Sequence, residues 1–395
     1  MGLVQTELSR FLTPQYLLWV SVAVVFYTYI GYHAIILLMA KLASSERDRK
    51  TASPPQEILS VSVIVAAYNE EAVIRQRIEN LLELDYPSGR LEIVIASDGS
   101  TDSTVEIAAG YTSQGVLVMD LSRRGRALIH NEAVLRARGE VIVFTDADAL
   151  FERSFIRAVV RRFQEDPSVG CVVGNLRWRT SGTAASWFRS FTWMFEISLK
   201  ESESRLGLLA SASGPAMAVR RNLWKPMSDP VDDCDSITPL DVILQGCRVI
   251  FASDAVAYDS PFATAASDFR SKVRGVSKSV VMIPRRWGFW NLFRHSLISW
   301  ALLSHFFLRW ISPYFMITAF VLPFTLREQG GIYGAIFLVE IAILVLVGVG
   351  FIGECKKRRF SLASPLYNFV VINAGFAIGV LKGAFGLARG PYETE

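Results

Sequence analysis

Acidic and polar side chains follow three of the β-rich runs of this sequence, at the point where each run ends. They lie in three short segments: Ala66 to Glu70, Ser97 to Asp102, and Thr145 to Asp148. These residues could also have purely structural roles, with Asn69 and Ser100 as helix caps and Asp98 in a plain turn. Asp146 and Asp148 lie two residues apart directly after an apolar run, and carboxylates so placed can bind a hard divalent cation that bridges phosphates. The candidate chemistry is therefore metal-dependent binding of a phosphate-bearing ligand.

The elements that must position these residues alternate between strands and helices. The β-rich runs are Val61 to Ala66, Leu91 to Ser97, Val116 to Met119 and Val141 to Thr145, and helical patterns lie near Glu70 to Leu82, from Ser103 and from Arg126. This alternation predicts a parallel sheet with helices on both faces. Ligands bind at the carboxyl ends of the strands in such sheets, so the acidic segments should converge on one crevice. No G-x-G-x-x-G or G-x-x-x-x-G-K-[ST] pattern follows these strands, which disfavours a dinucleotide or P-loop site.

The composition indicates a chain of mixed character. Of its 395 residues, 51% are hydrophobic and the mean hydropathy is +0.32, yet 20% are charged. So many charges cannot lie in lipid, so a water-soluble domain beside several membrane segments is expected. The apolar fraction and four cysteines at no zinc-like spacing exclude a disordered chain and a small disulfide scaffold. The net charge of +4 is too small to indicate binding to nucleic acid, and no nucleic-acid partner is expected.

The first apolar segment lies near the N-terminus. Phe11 to Ala40 contains no Asp, Glu, Lys or Arg, and it is longer than the about 20 residues that a membrane-spanning helix needs. Lys41 and the basic residues after it place the following segment in the cytoplasm by the positive-inside rule. We therefore expect residues 1–53 to form a transmembrane helix and a cytoplasmic linker, and residues 54–284 to form a cytoplasmic domain.

Further apolar segments follow this domain. Within residues 310–395, Trp310 to Leu326 and Gly331 to Gly353 predict a transmembrane hairpin, and Leu366 to Leu387 either spans the membrane or re-enters it. Residues 285–309 combine basic and aromatic side chains, as expected for an amphipathic helix lying in the membrane interface and contacting membrane lipids. The alternative for that segment is a buried helix of the soluble domain.

Taken together, these motifs resemble one family. They are Val63 to Glu71, Ser97 to Asp102, Arg124 to Arg126 with Asn131, Thr145 to Asp148, Gly246 to Val249 and Asp254 to Val256. The chain is similar to the membrane-integrated family 2 glycosyltransferases, which include cellulose, hyaluronan and poly-N-acetylglucosamine synthases and many exopolysaccharide enzymes. The resemblance implies an α/β fold of the GT-A (Rossmann-like) type for the cytoplasmic domain, with transmembrane α-helices at both ends.

The resemblance also implies a donor site. Three residues would line the nucleoside: Ala66, Tyr68 and Glu70. Asp98 would hydrogen-bond the uracil of a UDP-sugar, and Arg126, where the family usually has Lys, would face the nucleotide. Asp146 and Asp148 would hold Mg²⁺ or Mn²⁺ on the diphosphate of the nucleotide-sugar donor.

A carboxylate must also take the proton of the acceptor hydroxyl in an inverting transfer. The family places this Asp at the start of a helix that leads into a Gly-aromatic-Arg-Val strand, and counting back from Gly246 puts it at Asp235. Asp241 is the alternative base, and Asp235 could instead be a helix N-cap or fill both roles. Gly214 resembles the small-residue turn beside the acceptor in the family.

One departure from the family concerns processivity. Processive members carry Q-x-x-R-W, and the corresponding stretch here is Ser271 to Gly275, which keeps Arg274 for the diphosphate but lacks the Trp that stacks on the acceptor sugar. We therefore expect transfer to a lipid-linked or glycan acceptor at the cytoplasmic face of the cell (inner) membrane, in exopolysaccharide or glycolipid biosynthesis. The alternative is a processive polysaccharide synthase that also extrudes its polymer. Two alternative functions belong to other functional classes. One is a transporter with a cytoplasmic regulatory domain, and the other is a nucleotide-sugar-binding scaffold without catalytic activity.

Overall fold

A mixed sheet of eight strands forms the centre of the α/β domain. The computed structural model describes residues 13–47, 58–178, 184–229, 231–259, 264–356, 358 and 360–387. The strands are β1 Val61–Ala67, β2 Leu91–Asp98, β3 Val116–Leu121, β4 Val141–Asp146, β5 Leu150–Phe151, β6 Val169–Trp178, β7 Met217–Arg220 and β8 Arg248–Asp259. Their order across the sheet is β3-β2-β1-β4-β7-β6-β8-β5. The predicted boundary between residues 53 and 54 lies outside the described residues.

The first half of the sheet is parallel, as the alternation of strands and helices predicted. β2 and β4 flank β1 and β3 flanks β2, all in parallel register. β7 then runs antiparallel to β4 and to β6, β6 and β8 pair in parallel, and β5 closes the edge antiparallel to β8. The predicted α/β class is therefore confirmed, with antiparallel strands in the second half.

Fourteen α-helices accompany the sheet in the part of the chain that the structure describes. They are α1 Pro14–Phe26, α2 Tyr32–Arg47, α3 Ile74–Leu82, α4 Thr104–Ala109, α5 Arg126–Arg136, α6 Phe155–Glu165, α7 Ala184–Leu206, α8 Cys234–Leu244, α9 Ala265–Trp287, α10 Asn291–Arg294, α11 Ser296–Leu302, α12 Leu308–Leu326, α13 Gly331–Cys355 and α14 Ala363–Ala384. Two π-helical segments, Tyr27–Gly31 and Leu303–Phe307, join α1 to α2 and α11 to α12.

Hydrophobic cores fill both faces of the sheet. Successive side chains of a strand point to opposite faces, so in β1 Val63 and Val65 pack with helix α3 on one face while Ile64 packs with α5 on the other. All three side chains are fully buried. The helices on the two faces thus hold the strand ends, and the residues that follow them, at one edge of the sheet.

Four helical segments are long and apolar enough to cross a membrane: Pro14–Ala43, Ser296–Gln329, Gly331–Cys355 and Ala363–Ala384. They correspond to the apolar segments of the sequence. α14 packs along α9, and its glycines allow a close approach: a Cβ at Gly379 would lie 2.8 Å from the Cβ of Val276. This contact ties α9, which carries Arg274, to the helices at the C-terminal end.

The segment expected as one amphipathic helix, residues 285–309, is divided in the structure. Arg285 and Arg286 belong to the last turn of α9, which ends at Trp287 and is followed by Gly288 with φ of 75°. Glycine adopts this backbone region readily, whereas other residues rarely do. Two aromatic residues shortly after it are strongly exposed, with Trp290 80% and Phe293 68% accessible.

Candidate active site

A single cavity of about 1030 Å³ contains all ten residues that the sequence assigned to donor, metal, acceptor or base. These residues are Ala66, Tyr68, Glu70, Asp98, Arg126, Asp146, Asp148, Gly214, Asp235 and Arg274. The cavity lies at the carboxyl ends of β1, β2 and β4. It also extends to residues of the apolar segments Pro14–Ala43, Ser296–Gln329 and Ala363–Ala384. The strands thus deliver residues far apart in sequence to one space, while their individual roles stay predictions.

The loop after β1 has a strained backbone beside this cavity. Asn69 has φ of 54°, a left-handed conformation that Asn tolerates better than most residues. Its amide N–H donates to Ser100 Oγ at 3.1 Å, and its Oδ1 accepts from the Thr101 amide at 2.8 Å. These bonds lock the β1 and β2 loops together. The expected helix from Glu70 therefore begins later, at Ile74, because residues 69 and 70 are used in this loop contact.

Asp98 organises a second loop. Its carboxylate accepts hydrogen bonds from the Arg124 amide at 2.7 Å and the Gly125 amide at 3.0 Å, and from the Arg123 guanidinium at 3.2 Å. Arg123 also lies over the Tyr68 ring, 3.3 Å from its centroid. Asp98, predicted as a uracil contact, is thus an anchor for the loop before α5, and the Tyr68–Arg123 pair forms a flat wall. Arg123 was missed from the sequence, although it directly precedes the Arg124 to Arg126 motif.

Asp146 and Asp148, the acidic pair at the end of β4, lie near the positive charge of Arg126 and the carboxyl group of Glu70. Arg126 Nη2 lies 2.7 Å from Asp146 Oδ1. Desolvation in the cavity raises the pKa of Asp148, and the charge of Asp146 raises it further. Burial and then the charges of Asp148 and Asp146 raise the pKa of Glu70 to about 7. Carboxylates that repel one another in this way would be stabilised by a divalent cation.

The donor set fits a metal ion that also takes ligands from its substrate. Among the residues that the structure describes, no three His, Cys, Asp or Glu side chains form a ready-made metal site. Asp146 and Asp148 supply hard oxygen ligands, and Mg²⁺ is commonly bound through one or two carboxylates plus substrate phosphates. The two aspartates therefore fit Mg²⁺ or Mn²⁺ held together with a diphosphate.

Asp235 lies in the first turn of α8, at the inner wall of the cavity. Burial raises the pKa of its carboxyl, the nearby charge of Asp233 raises it further, and Arg126 opposes both effects. A Cβ at Gly214 would lie 3.2 Å from Asp235 Oδ2 and 3.2 Å from Arg126 Nη2, so the glycine leaves these groups room to approach. The helix begins at Cys234, with Asp233 at the N-cap position, so Asp235 is not the cap.

Asp241, the alternative base, is engaged elsewhere. Its two oxygens accept from Arg286 Nε at 2.7 Å and Nη2 at 2.6 Å, and its side chain is 2% exposed. It does not line the cavity. A carboxylate held in a bidentate ion pair away from the cavity is poorly placed to take a proton from a substrate, which favours Asp235 over Asp241.

Lys200 is a second residue that the sequence did not reveal. Its Nζ donates to Ser213 Oγ at 2.9 Å, beside Gly214, and the side chain lines the cavity although it is only 5% exposed. No local motif marks this lysine, because it lies within α7 and is brought to the site only by the packing of that helix. Arg274 of α9 lines the cavity, and its contact with a diphosphate stays a prediction.

Comparison with known proteins identifies the family of this domain. Residues 62–225 match the model of the family described as glycosyl transferase family 2. A poly-beta-1,6-N-acetyl-D-glucosamine synthase of Staphylococcus epidermidis is 26% identical over 226 residues, which are 56% of this chain and 53% of the relative. A beta-monoglucosyldiacylglycerol synthase of Nostoc sp. is 32% identical over 203 residues, 49% of this chain and 42% of the relative. The chain thus spans about half the length of the curated relatives it matches.

The fold also has a close counterpart among solved structures. A mannosyltransferase from Pyrobaculum calidifontis, solved in complex with GDP-Man and Mn²⁺, superposes with a TM-score of 0.70 over 94% of this chain and 99% of that chain. The two sequences are 22% identical, so the likeness is one of fold. With the family match and the mixed sheet described above, we conclude that the chain contains a glycosyltransferase family 2 domain with the GT-A fold.

Proposed function

We propose that this protein is a membrane-bound, inverting, metal-dependent glycosyltransferase. It transfers a sugar from a nucleotide-sugar donor, expected to be a UDP-sugar, to a lipid-linked or glycan acceptor. The observation that carries the proposal is that Asp146 and Asp148 share one cavity with Asp235, with Arg126 contacting Asp146 beside them. The activities of the two relatives, one a polysaccharide synthase and one a glycolipid synthase, support a role in exopolysaccharide or glycolipid biosynthesis.

The donor is held by groups on three sides of the cavity. The Tyr68–Arg123 pair offers a flat surface to a nucleoside, and Asp98 fixes the loop that carries Arg123. Arg126 and Arg274 supply positive charge for the phosphates. A Mg²⁺ or Mn²⁺ ion bound to Asp146 and Asp148 would neutralise the charge that develops on the leaving diphosphate.

Asp235 acts as the general base. The acceptor hydroxyl oxygen attacks the anomeric carbon, the bond from that carbon to the diphosphate oxygen breaks, and the hydroxyl proton passes to the Asp235 carboxylate. The nucleoside diphosphate leaves and the configuration at the anomeric carbon inverts. A raised pKa suits this role, because a base is most effective when its pKa lies near the working pH.

The acceptor is presented at the cytoplasmic face of the inner membrane. Four helical segments are long and apolar enough to anchor the domain there. The missing Trp after Arg274 favours addition of a single sugar, while a processive polysaccharide synthase is the second candidate, supported by the poly-beta-1,6-N-acetyl-D-glucosamine synthase relative. Sizing the products decides between them, since only a processive enzyme makes a ladder of long glycans without a lipid acceptor.

Donor hydrolysis by the purified full chain tests the proposal. A panel of UDP- and GDP-sugars is offered with Mn²⁺ to the wild type, to Asp148→Ala and to Asp120→Ala, an exposed aspartate on β3 outside the cavity. We expect Asp148→Ala to lose about 100-fold or more of the turnover, because the leaving diphosphate loses its stabilisation. Asp120→Ala should match the wild type. Equal turnover in the Asp148 variant would contradict the assigned role.

A further inference from the structure

The cavity continues beyond the site described so far, into a space between helices. We call this part the helical chamber and define it by Tyr29, His33, Glu196, Lys200, His305 and Arg309, which all line the cavity. Tyr29 and His33 belong to the Pro14–Ala43 span, and His305 and Arg309 to the Ser296–Gln329 span. The donor site and two candidate membrane spans therefore border the same continuous space.

Both spans change to π-helical geometry at the chamber. The two π segments touch each other: the Tyr27 hydroxyl lies 2.9 Å from Ser304 Oγ. Trp300 Nε1 also donates to the Tyr27 hydroxyl at 3.0 Å. π-Helical turns are rare and occur frequently at functional sites. Here they bring Tyr29 from one span and His305 from the other to the chamber wall.

His305 and Arg309 of the chamber wall are already paired with carboxylates. Glu196 pairs with His305 Nε2 at 3.0 Å and with Arg309 Nη1 at 3.0 Å. Glu203 lies behind His305, 2.9 Å from its Nδ1, and accepts from the Tyr32 hydroxyl at 2.7 Å. A phosphate in this part of the cavity would compete with these carboxylates for their cations. Uncharged hydroxyl groups can instead add hydrogen bonds without disturbing the pairs.

Lys200 connects the chamber to the proposed base. It lies one helical turn beyond Glu196 on α7, and its Nζ reaches Ser213, which adjoins the Gly214 position facing Asp235. Lys200 Nζ therefore lies beside the place where the hydroxyl of a bound acceptor would approach Asp235. On the α9 side of the cavity the charged residues are Asp268, Lys272 and Arg274.

The chamber opens sideways between the N-terminal span and α7. Ile30 and Phe195 line the cavity and are 55% and 51% exposed, so the cavity is open to solvent or lipid at these two residues. The His33 ring packs edge-on against Phe195, with centroids 5.6 Å apart, at the same place. Because Ile30 lies within a segment apolar enough to cross a membrane, this opening would face lipid.

We infer that the acceptor is a membrane lipid with an uncharged, hydroxyl-bearing head, which enters through the opening beside Ile30 and Phe195. The head occupies the helical chamber, Lys200 positions its hydroxyl next to Asp235, and the acyl chains remain between the N-terminal span and α7. This inference rests on the proposed glycosyltransferase function and specifies its acceptor. A growing glycan threaded through the same chamber is the competing occupant.

A binding assay without donor tests the inference directly. The full chain in detergent is titrated with dioleoylglycerol carrying a fluorophore on one tail, and separately with phosphatidic acid carrying the same tails and label. We expect the diacylglycerol to bind about tenfold more tightly, since the phosphate would compete with Glu196 and Glu203 for His305 and Arg309. Ile30→Trp, which narrows the opening, should weaken diacylglycerol binding by about tenfold. Leu38→Trp is the matched control, because Leu38 is 59% exposed on the same span but does not line the cavity.

The outcomes separate this inference from the proposed function. Equal binding of the two lipids, or unchanged diacylglycerol binding by Ile30→Trp, would overturn the lipid assignment even if nucleotide sugars are hydrolysed. Transfer to a soluble oligosaccharide with the same kcat/KM in the wild type and Ile30→Trp would overturn it in favour of a glycan. Absence of hydrolysis across the donor panel would instead count against the glycosyltransferase proposal itself. Lys200→Met should raise the KM for dioleoylglycerol more than the KM for the donor, whereas a merely structural lysine would affect both alike.

Discussion

Gly214 offers a sharp test of the space between the base and the donor site, through the substitution Gly214→Ala. The added Cβ would lie 3.2 Å from both Arg126 Nη2 and Asp235 Oδ2, whereas ordinary contacts begin at 3.4 Å, so one neighbour must move by a few tenths of an ångström. Arg126 is held by Asp146 at 2.7 Å, which leaves Asp235 as the group that shifts. Misplacement by about 1 Å can cost about 100-fold in rate, so this smaller shift should lower kcat by about tenfold.

The assay compares sugar transfer by the wild type, Gly214→Ala and Gly89→Ala. A Cβ at Gly89 meets no atom within 4 Å and the residue lies outside the cavity, so it controls for the substitution itself. We expect a lower kcat for Gly214→Ala with little change in the KM for the donor. Wild-type kcat in a correctly folded Gly214→Ala would refute the claim that Asp235 works at a position fixed by close packing.

Three further predictions concern the carboxylates of Asp235 and Asp241 in α8. Because burial and Asp233 raise the pKa of Asp235, a base at this position is lost as the pH falls through a value above the ordinary aspartate pKa, and a pH–rate profile should show that limb. The same raised pKa means that the native state binds the proton more tightly than the unfolded chain does. The contribution of Asp235 to stability should therefore decline as the pH rises through its raised pKa, and thermal melts at several pH values can detect this. Arg286→Met leaves Asp241 buried without its ion pair and should reduce the free energy of unfolding by about 3–5 kcal/mol. A melting temperature close to that of the wild type would contradict this. Arg153→Met, which removes an exposed ion pair with Glu83, is the control and should change the free energy of unfolding little.

The parallel half of the sheet was predictable because each strand carries its own signal. β1 was expected at Val61 to Ala66 and runs from Val61 to Ala67, and β4 was expected at Val141 to Thr145 and ends one residue later. Polar residues at the ends of such strands must meet, so their convergence also followed from the sequence. The later start of α3 did not, because it depends on the hydrogen bonds between Asn69 and the loop after β2.

Contacts between distant helices lay beyond the sequence patterns. Tyr32 and Glu203 meet across 171 residues, and Arg286 and Asp241 pair across 45. No periodicity or spacing in the sequence predicts either pair, because each contact depends on how two helices pack. Lys200 was missed for the same reason: a lone lysine in a helix is expected on the surface, and only the packing of α7 buries it beside Ser213.

Asp235 is proposed to serve as the base in a cavity that binds the donor independently of this residue. Sugar transfer and UDP binding, measured side by side for the wild type and Asp235→Asn, test this most directly. The geometry predicts that Asp235→Asn binds UDP about as tightly as the wild type but transfers sugar at least about 100-fold more slowly, since the acceptor proton has no base to take it. Transfer by Asp235→Asn at the wild-type rate, with UDP binding intact, would show that Asp235 is not the base.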